Sequence, residues 1–168
     1  PFTYAGTVDA YTLTSAMETT WAYAQEQKYP HSLFVADYAV TYAASWDNLD
    51  AISMIFGKDY AAGGVDYTLR APSEGSDYTG SGDSERGTPQ SNEWDRLLDK
   101  DDGYIKNWNG IFSCGQDSVI RLSWRRTVRG YYSSRFCGHR DATGQNPQVG
   151  FRPVLEVLNH DTIGPDGL

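Results

Sequence analysis

The spacing of apolar residues changes partway along this chain, and that change constrains the fold more than any other sequence feature. Apolar side chains recur at helical spacing over residues 13–28 and again over residues 46–56. Ser45 or Asp47 can cap the second helix, and Gly57 can end it. In the last third of the chain apolar and polar residues alternate instead, as they do in half-buried strands. Helices followed by strands predict an α+β fold.

Two further segments extend this pattern. Residues 92–99 predict a short helix capped by Ser91, with three side chains directed inward: Trp94, Leu97 and Leu98. Near the C-terminal end, Ile120, Leu122 and Trp124 alternate with polar neighbours, and Phe151 and Leu155 do so again, which predicts half-buried strands whose covered faces carry these residues. Pro153 interrupts the last of these runs, which indicates an edge position or the end of a strand.

The segments between these elements give weaker signals. Residues 33–36 could form a buried strand, and the Tyr- and Ala-rich residues that follow, up to 44, could be helical. Residues 57–91 are predicted to be mostly loop, with one strand at Val65–Leu69. The reason is that residues 73–84 are small, polar and turn-forming.

Size and charge limit the classes of function. A chain of 168 residues is long enough for one domain with a substantial core. Its net charge of −8 argues against nucleic-acid binding by the surface as a whole. No apolar run has the length needed to span a bilayer, so no membrane insertion is predicted. The chain starts at Pro1 rather than Met, and we expect that it is a piece of a longer protein.

The chain has two cysteines, Cys114 and Cys137, which are too few for a disulfide-stabilised fold. The two could pair, although two separate thiols are the more ordinary interpretation. No clustered cysteine or histidine residues indicate a zinc site, and no cofactor is predicted. A structural cation elsewhere is left open.

Residues 125–148 form a locally basic window within this acidic chain. The window carries five arginines and His139 against a single acid, Asp141. Its tyrosines and arginines can supply large amphipathic contacts, and its serines and glycines can supply adaptable hydrogen bonds, as in antibody recognition loops. A solvated loop without a function is the alternative that composition alone leaves open.

Three segments around this window resemble a known family. Gly150-Phe151-Arg152-Pro153-Val154-Leu155 is similar to the closing motif of the variable proteins of diversity-generating retroelements. Residues 108–117, which read Trp-Asn-Gly-Ile-Phe-Ser-Cys-Gly-Gln-Asp, and residues 92–95 resemble segments that precede the variable region of that family. The adenine-directed diversification of that family cannot introduce Lys, Glu, Gln, Met or Trp at its usual codons. The window lacks Lys, Glu, Met and Trp, and its two glutamines, Gln145 and Gln148, lie near its end, where the fixed frame could resume.

The resemblance implies a C-type-lectin-like domain of the α+β class, related to the fold of the formylglycine-generating, sulfatase-modifying enzymes. It implies two or three early helices, then a small, mostly antiparallel sheet with long loops. Residues 1–160 would form this single domain, with a variable region at about 120–155, and residues 161–168 would begin a linker to further domains.

The function implied is non-enzymatic recognition of a protein or cell-surface ligand, outside a cell or on a virus particle. The residues expected to contact the ligand from exposed, variable positions are Arg125, Arg126, Tyr131, Tyr132, Arg135, Phe136, Cys137, His139, Arg140 and Asp141. The alternative role of each is a buried or paired position in the fixed frame, and for Tyr132, Arg135 and Phe136 the two roles are equally expected.

Other functions have weaker sequence support. The calcium-dependent sugar triplets of true lectins are absent, and the acidic run at 99–103 lacks the spacing of an EF-hand. Cys137 and His139 are two residues apart and would share a face of a strand, which leaves a cysteine-dependent enzyme of the formylglycine-generating type as an alternative. Nucleic-acid binding through the basic window is a second alternative, opposed by the acidic remainder of the chain.

Overall fold

A computed structural model describes residues 1–8, 31–78, 85–88, 92–119 and 122–157 of this chain. The predicted helix at 13–28, the predicted cap Ser91 and the predicted core residue Ile120 lie outside the described residues. Residues 158–168, where a linker is expected to begin, also lie outside them.

Strands dominate the described part of the chain, with two α-helices between them. The strands are β1 (Phe2–Val8), β2 (His31–Ala36), β3 (Thr41–Tyr42), β4 (Lys58–Ala62), β5 (Val65–Arg70), β6 (Asp77–Tyr78), β7 (Gly87–Thr88), β8 (Phe112–Val119), β9 (Leu122–Gly130), β10 (Cys137–Asp141), β11 (Val149–Phe151) and β12 (Val154–Val157). The helices are α1 (Trp46–Ala51) and α2 (Glu93–Lys100), and a 3-10 turn follows at Asp102–Tyr104. The fold is therefore α+β and mostly β. The expected order of two or three helices followed by strands is wrong, because strands precede and separate the two described helices.

Two five-stranded sheets organise the fold. The first sheet has the strand order β1-β2-β12-β5-β4, and all of its neighbouring strands are antiparallel. The second sheet has the order β10-β9-β8-β11-β3, in which only the β8–β11 pair is parallel. The prediction of a mostly antiparallel arrangement is confirmed, but it underestimated the number of strands.

Each sheet has its own hydrophobic core. Helix α1 packs on the second sheet in a core that comprises Trp46, Leu49, Ile55, Ala71, Phe112, Cys114, Val128, Ala142, Val149 and Phe151. Helix α2 packs on the first sheet in a core that comprises Ala5, Leu33, Val35, Trp94, Leu97, Leu98, Ile105 and Val154. The chain crosses from the second sheet to the first at Arg152-Pro153, where the side chain of Arg152 is fully buried. Pro153 thus lies at a strand end, as predicted.

The two described helices begin as the sequence indicates, but their details differ. The hydroxyl of Ser45 accepts a hydrogen bond from the backbone N–H of Asn48 and caps α1, as predicted. Helix α1 ends at Ala51 rather than at Gly57, because Ser53 adopts a positive φ of 64° that a continuing helix excludes. Helix α2 is capped by Asn92 rather than Ser91, and the predicted inward side chains at 94, 97 and 98 are buried.

Residues 57–91 contain more ordered structure than predicted. Strands β4 and β5 form a hairpin whose turn, Gly63-Gly64, uses positive φ at both residues. Residues 73–76 of the polar 73–84 segment are packed inside the molecule, and Ser73, Glu74 and Ser76 are fully buried. Residues 33–36 belong to strand β2, and residues 37–44 form bends and the short strand β3 instead of a helix.

The prediction of the C-terminal core is correct only in part. Phe151 is buried, whereas Leu122 and Leu155 are only half-buried. Trp124, which the alternation directed inward, is 58% exposed. Alternation alone did not identify which side of the strand is covered.

Candidate functional site

The register of the β9–β10 hairpin divides the predicted contact residues between its two faces. Arg126 pairs with Arg140 across the hairpin, and Arg125 pairs with Asp141. Because side chains alternate along a strand, these two pairs point to opposite faces. The window therefore presents an aromatic face, which includes Arg126 and Arg140, and a polar face, which includes Arg125, His139 and Asp141.

Four rings form an aromatic cluster on the first of these faces: Phe112, Tyr131, Tyr132 and Phe136. Tyr131 stacks on Phe112 with ring centroids 4.5 Å apart, and Tyr132 and Phe136 meet each other edge to face at 4.9 Å. The guanidinium of Arg140 lies 4.3 Å from the centroid of the Phe112 ring, which places a cation against this cluster.

Tyr131 is held more firmly than a free contact residue would be. Its φ of 75° is unusual for a residue other than glycine. Its backbone N–H donates to the carbonyl of Trp108, and its hydroxyl accepts a hydrogen bond from the side chain of Gln148. Because it also stacks on buried Phe112, Tyr131 is partly a structural residue and only partly available to contact a ligand.

Arg126 lies over the indole of Trp46, with its guanidinium 4.1 Å from the ring centroid. Partial burial lowers the pKa of Arg126, and the charges of Asp47 and Asp50 oppose that shift. Burial also raises the pKa of Asp50, although the charge of Arg126 opposes this. This contact joins the hairpin to helix α1.

The polar face is organised around Arg125. Its guanidinium donates to the carboxylate of Asp141 at 3.0 Å and contacts Nδ1 of His139 at 2.9 Å. Since a guanidinium has no acceptor, Nδ1 must accept this hydrogen bond and the proton of a neutral His139 ring must sit on Nε2. The three side chains form one interacting group at the solvent edge of the sheet.

The loop between β9 and β10 is fastened to helix α2. The guanidinium of Arg135 donates to the last-turn carbonyl of Leu98 and to the carboxylates of Asp99 and Asp102. The indole N–H of Trp94 donates to the backbone carbonyl of Ser134. Arg135 therefore positions the loop, while remaining partly accessible to solvent.

Beneath the hairpin lies a buried ionic layer. The guanidinium of Arg129 forms a salt bridge with Asp95 of α2 and donates to the backbone carbonyl of Glu74. Asp117 of β8 accepts a hydrogen bond from the backbone N–H of Glu74 at 2.6 Å. These contacts tie helix α2, the 73–76 segment and two strands of the second sheet together.

The carboxyl of Glu74 is the least satisfied group in this layer. Among the described residues, neither of its oxygens has a hydrogen-bond partner, and the side chain is fully buried. Burial raises the pKa of Glu74 well above its usual range; Arg129 opposes the shift, and Asp117 and Asp95 add to it. A side chain at Gly115 would place its Cβ 2.4 Å from the Glu74 carboxyl carbon, so glycine is required there.

A surface pocket of 330 Å³ lies beside the aromatic cluster. It is lined by Phe112, Tyr132, Phe136, Cys137, Gly138, His139 and Arg140. Five of these seven residues belong to the predicted contact set, and the other two do not.

Exposure varies widely within the predicted contact set. Tyr132 is 67% exposed and Asp141 is also exposed, whereas most of the other members are half-buried. Cys137 is only 2% exposed, which contradicts its expected exposed position. It shares a face of β10 with His139 and Asp141, but its partner across the hairpin is Arg129, which is itself buried.

The two cysteines are separate, buried thiols. Strand β9 lies between β8, which carries Cys114, and β10, which carries Cys137, so the sheet holds them apart. Burial raises the pKa of the Cys114 thiol far above its usual range. The question of pairing that the sequence left open is thereby answered for this structure.

Two aromatic residues that contact the predicted set were not part of it. Phe112 forms the centre of the aromatic cluster, and Trp46 lies beneath Arg126. Phe112 belongs to the 108–117 segment that the resemblance identified, so an aromatic residue next to the window was the available signal. Trp46 is eighty residues away from Arg126 in the sequence, and no local pattern relates the two.

No three His, Cys, Asp or Glu side chains within the described ranges are grouped so that they could hold a metal ion. None of the helices described here is both long and apolar enough to cross a membrane. Comparisons of the chain with protein-family models, with curated proteins and with solved structures found no match.

Proposed function

We propose that this chain is a non-enzymatic recognition protein, a variable protein of a diversity-generating retroelement with a C-type-lectin-like fold. The observation that carries the proposal is the arrangement of the β9–β10 hairpin. Tyr132, Arg125, His139, Arg140 and Asp141 reach solvent from this hairpin and its loop, while a separate buried layer holds the hairpin in place.

The chemistry of these side chains suits protein recognition. Tyrosine and arginine are enriched among the residues that contribute most to protein–protein binding, because each combines a large contact area with hydrogen bonding. Tyr132 presents an exposed ring at one end of the hairpin, and Arg140 presents a guanidinium near the middle of β10. Protein or cell-surface ligands are thus the partner class that we propose, met outside a cell or on a virus particle.

The buried layer explains how such a surface could vary without loss of the fold. Arg129, Asp95 and Asp117 fix the backbone of the hairpin and its neighbours from below. The solvent-facing side chains contribute little to those contacts. A contact surface on a rigid and independently stabilised frame can accept many sequences.

Two observations, the pairing of three arginines and the burial of both thiols, favour recognition over the alternative functions. Arg125, Arg129 and Arg135 each pair with a carboxylate, which leaves less positive charge available for nucleic-acid phosphates. Both thiols are buried, and a nucleophilic cysteine needs access to substrate together with a lowered pKa.

The proposal is tested with a display library in which Tyr132, Arg125, His139, Arg140 and Asp141 are randomised together. Surface substitutions usually change stability by about 0.5 kcal/mol or less. We expect most variants to keep resistance to a protease, and we expect sorting against several unrelated protein targets to yield specific binders to more than one.

A matched library randomises five buried positions of the same region: Phe112, Cys114, Asp95, Val128 and Arg129. We expect most of its variants to lose protease resistance, because they open cavities or strand buried charges. If the surface library is no better folded than this control, or if it yields no binder to any target, the proposed function is wrong.

A further inference from the structure

We propose that the pocket beside Arg140 binds an aromatic residue at the C-terminus of a partner chain, with the ring against the aromatic cluster and the terminal carboxylate at Arg140. The inference rests on the proposed function and deepens it, because it gives the chemical class of the group that the surface takes. It is carried by three features: aromatic walls, a cation without an acidic partner, and a volume suited to a single large side chain.

Aromatic rings form much of the wall of the pocket. Phe112 is fully buried beneath the pocket, and the rings of Phe136 and Tyr132 meet edge to face at its side. Gly138 leaves this part of the strand without a side chain, and a Cβ there would come within 3.0 Å of the Phe136 ring. A flat aromatic group could contact these rings edge to face or offset, which are the favoured geometries of ring pairs.

Arg140 supplies the charge. Within the described part of the chain it forms no ion pair, unlike Arg125, Arg129 and Arg135. It donates one hydrogen bond, from Nη1 to the carbonyl of His139, and lies against the Phe112 ring. The remaining N–H donors of its guanidinium are therefore available to a ligand.

Arg126 also lacks an ion pair in these ranges, but it does not line the pocket. It lies over Trp46, close enough to Asp47 and Asp50 for their charges to act on it. On the pocket side of the hairpin, Arg140 is thus the cation of the described residues whose charge no protein carboxylate neutralises.

The combination of aromatic walls with the guanidinium of Arg140 favours a carboxylate attached to an aromatic group over a simple inorganic anion. A guanidinium can bind a carboxylate through two parallel hydrogen bonds, and its own contact with Phe112 orients it beside the rings. A small hydrated anion would bind Arg140 but leave the aromatic walls exposed to water. An aromatic acid satisfies both, because its negative charge complements Arg140 while its ring covers the aromatic walls.

The test uses phenylacetate as the probe and phenylacetamide as its neutral analogue of the same shape. Binding to the wild-type chain is followed by the chemical shifts of backbone amides in a titration. We expect phenylacetate to shift the amides of residues 136–140 with a dissociation constant on the order of millimolar, and phenylacetamide to bind about tenfold more weakly.

Two substitutions sharpen the test. Arg140→Gln is expected to weaken phenylacetate binding about tenfold and to bring it to the level of phenylacetamide. Lys58→Gln removes the same charge from β4 of the other sheet and is expected to leave the affinity unchanged. If Arg140→Gln fails to fold, the comparison of the two probes on the wild-type chain still decides the matter.

Equal binding of the two probes, or the absence of shifts at residues 136–140, overturns the inference. Either result would leave the proposed recognition function standing, because the library experiment selects binders whatever group occupies the pocket. Conversely, failure of the library with selective phenylacetate binding would support the acid-binding pocket and contradict a diversified surface.

Discussion

At the scale of a single residue, Glu74 is a carboxyl group buried beneath the hairpin with both oxygens unpartnered among the described residues. An isolated buried carboxylate is very costly, so the group keeps its proton instead. Its neighbours do not remove the cost, because the positive charge of Arg129 is opposed by the carboxylates of Asp117 and Asp95. Over the pH range between the unfolded pKa of a glutamate and this raised folded pKa, we expect the folded protein to hold a proton that the unfolded chain releases.

This proton makes stability depend on pH in a definite direction. In the unfolded chain, the pKa of a glutamate is about 4.3, and burial raises the pKa of Glu74 well above that value. Below the unfolded value Glu74 is protonated in both states, so its contribution to stability is complete. As pH rises toward and through the folded pKa, that contribution is lost at up to about 1.4 kcal/mol per pH unit.

Glu74→Gln removes this dependence while keeping the size and shape of the side chain. We expect the stability of the variant relative to wild type to increase with pH, and urea unfolding between pH 5 and pH 8 measures it. Glu85→Gln, at an exposed carboxyl, serves as the control and should follow wild type. Parallel curves for wild type and Glu74→Gln would show that Glu74 does not carry the proton.

Sequence reasoning could not identify Glu74. The residue lies in a segment whose small, polar composition is typical of a solvated loop. Its burial depends on Asp117 and Arg129, which are 43 and 55 residues away. The basic window was recognisable because its composition is local, whereas the split of Arg125 and Arg126 between two faces required the register of β9 and β10.

At the scale of elements, the loop between β9 and β10 depends on helix α2. Arg135 donates to the carbonyl of Leu98 in the last turn of α2, where the helix leaves carbonyl groups without helical partners. It also contacts Asp99 and Asp102, which are exposed enough that these ion pairs contribute little by themselves. The contact matters because it holds the loop that carries Tyr132.

Arg135→Ala is expected to loosen that loop. We expect a loss of about 1 kcal/mol in the free energy of unfolding, from the hydrogen bond to a helix terminus. Hydrogen exchange of the amides at 131–136 should accelerate by more than this global loss explains. Lys58→Ala removes an exposed cation from β4 of the other sheet, so exchange at 131–136 should be unchanged in that variant. Equal acceleration in the two variants would contradict a role for Arg135 in positioning the loop.

Elements were predictable where their signals are local. Helix α2 joins an amphipathic pattern to a polar cap, and only the choice between adjacent cap residues, Ser91 and Asn92, was wrong. Strand β4 was missed because it is largely exposed and rich in residues with weak strand preference. It forms because Gly63-Gly64 turns the chain back and β5 offers it a partner along its whole length.

At the scale of the whole molecule, two buried arginines join the parts of the fold, and they do so in different ways. Arg70 forms salt bridges with Glu93 of α2 and Glu156 of β12. Arg152 instead donates to neutral groups at the crossing between the sheets: the hydroxyl of Ser113 and the carbonyls of Ala36 and Asn107. Burial lowers the pKa of the Arg152 guanidinium to about 10, which leaves it charged at neutral pH.

This difference predicts that the cost of replacing Arg70 depends on pH and that the cost of replacing Arg152 does not. Arg70→Met leaves two buried carboxylates without their cation, and breaking such an arrangement costs about 3–5 kcal/mol. The cost should shrink as pH falls toward 4, because Glu93 and Glu156 can then take up protons. Arg152→Met leaves only neutral acceptors unpaired, at about 1–3 kcal/mol for such a group, and its cost should be the same from pH 4 to pH 8.

Urea unfolding of both variants and wild type at pH 4, 5.5 and 7 measures this contrast. Each variant serves as the control for the other, since both replace a fully buried arginine with the same residue. An equal pH dependence in the two would mean that a carboxylate such as Asp37, which acts on Arg152 through its charge, stabilises the crossing. A flat response of Arg152→Met would instead mean that neutral hydrogen bonds join the two sheets. The Gly-Phe-Arg-Pro motif would then stabilise the fold directly, and it would affect the recognition surface only by stabilising the fold.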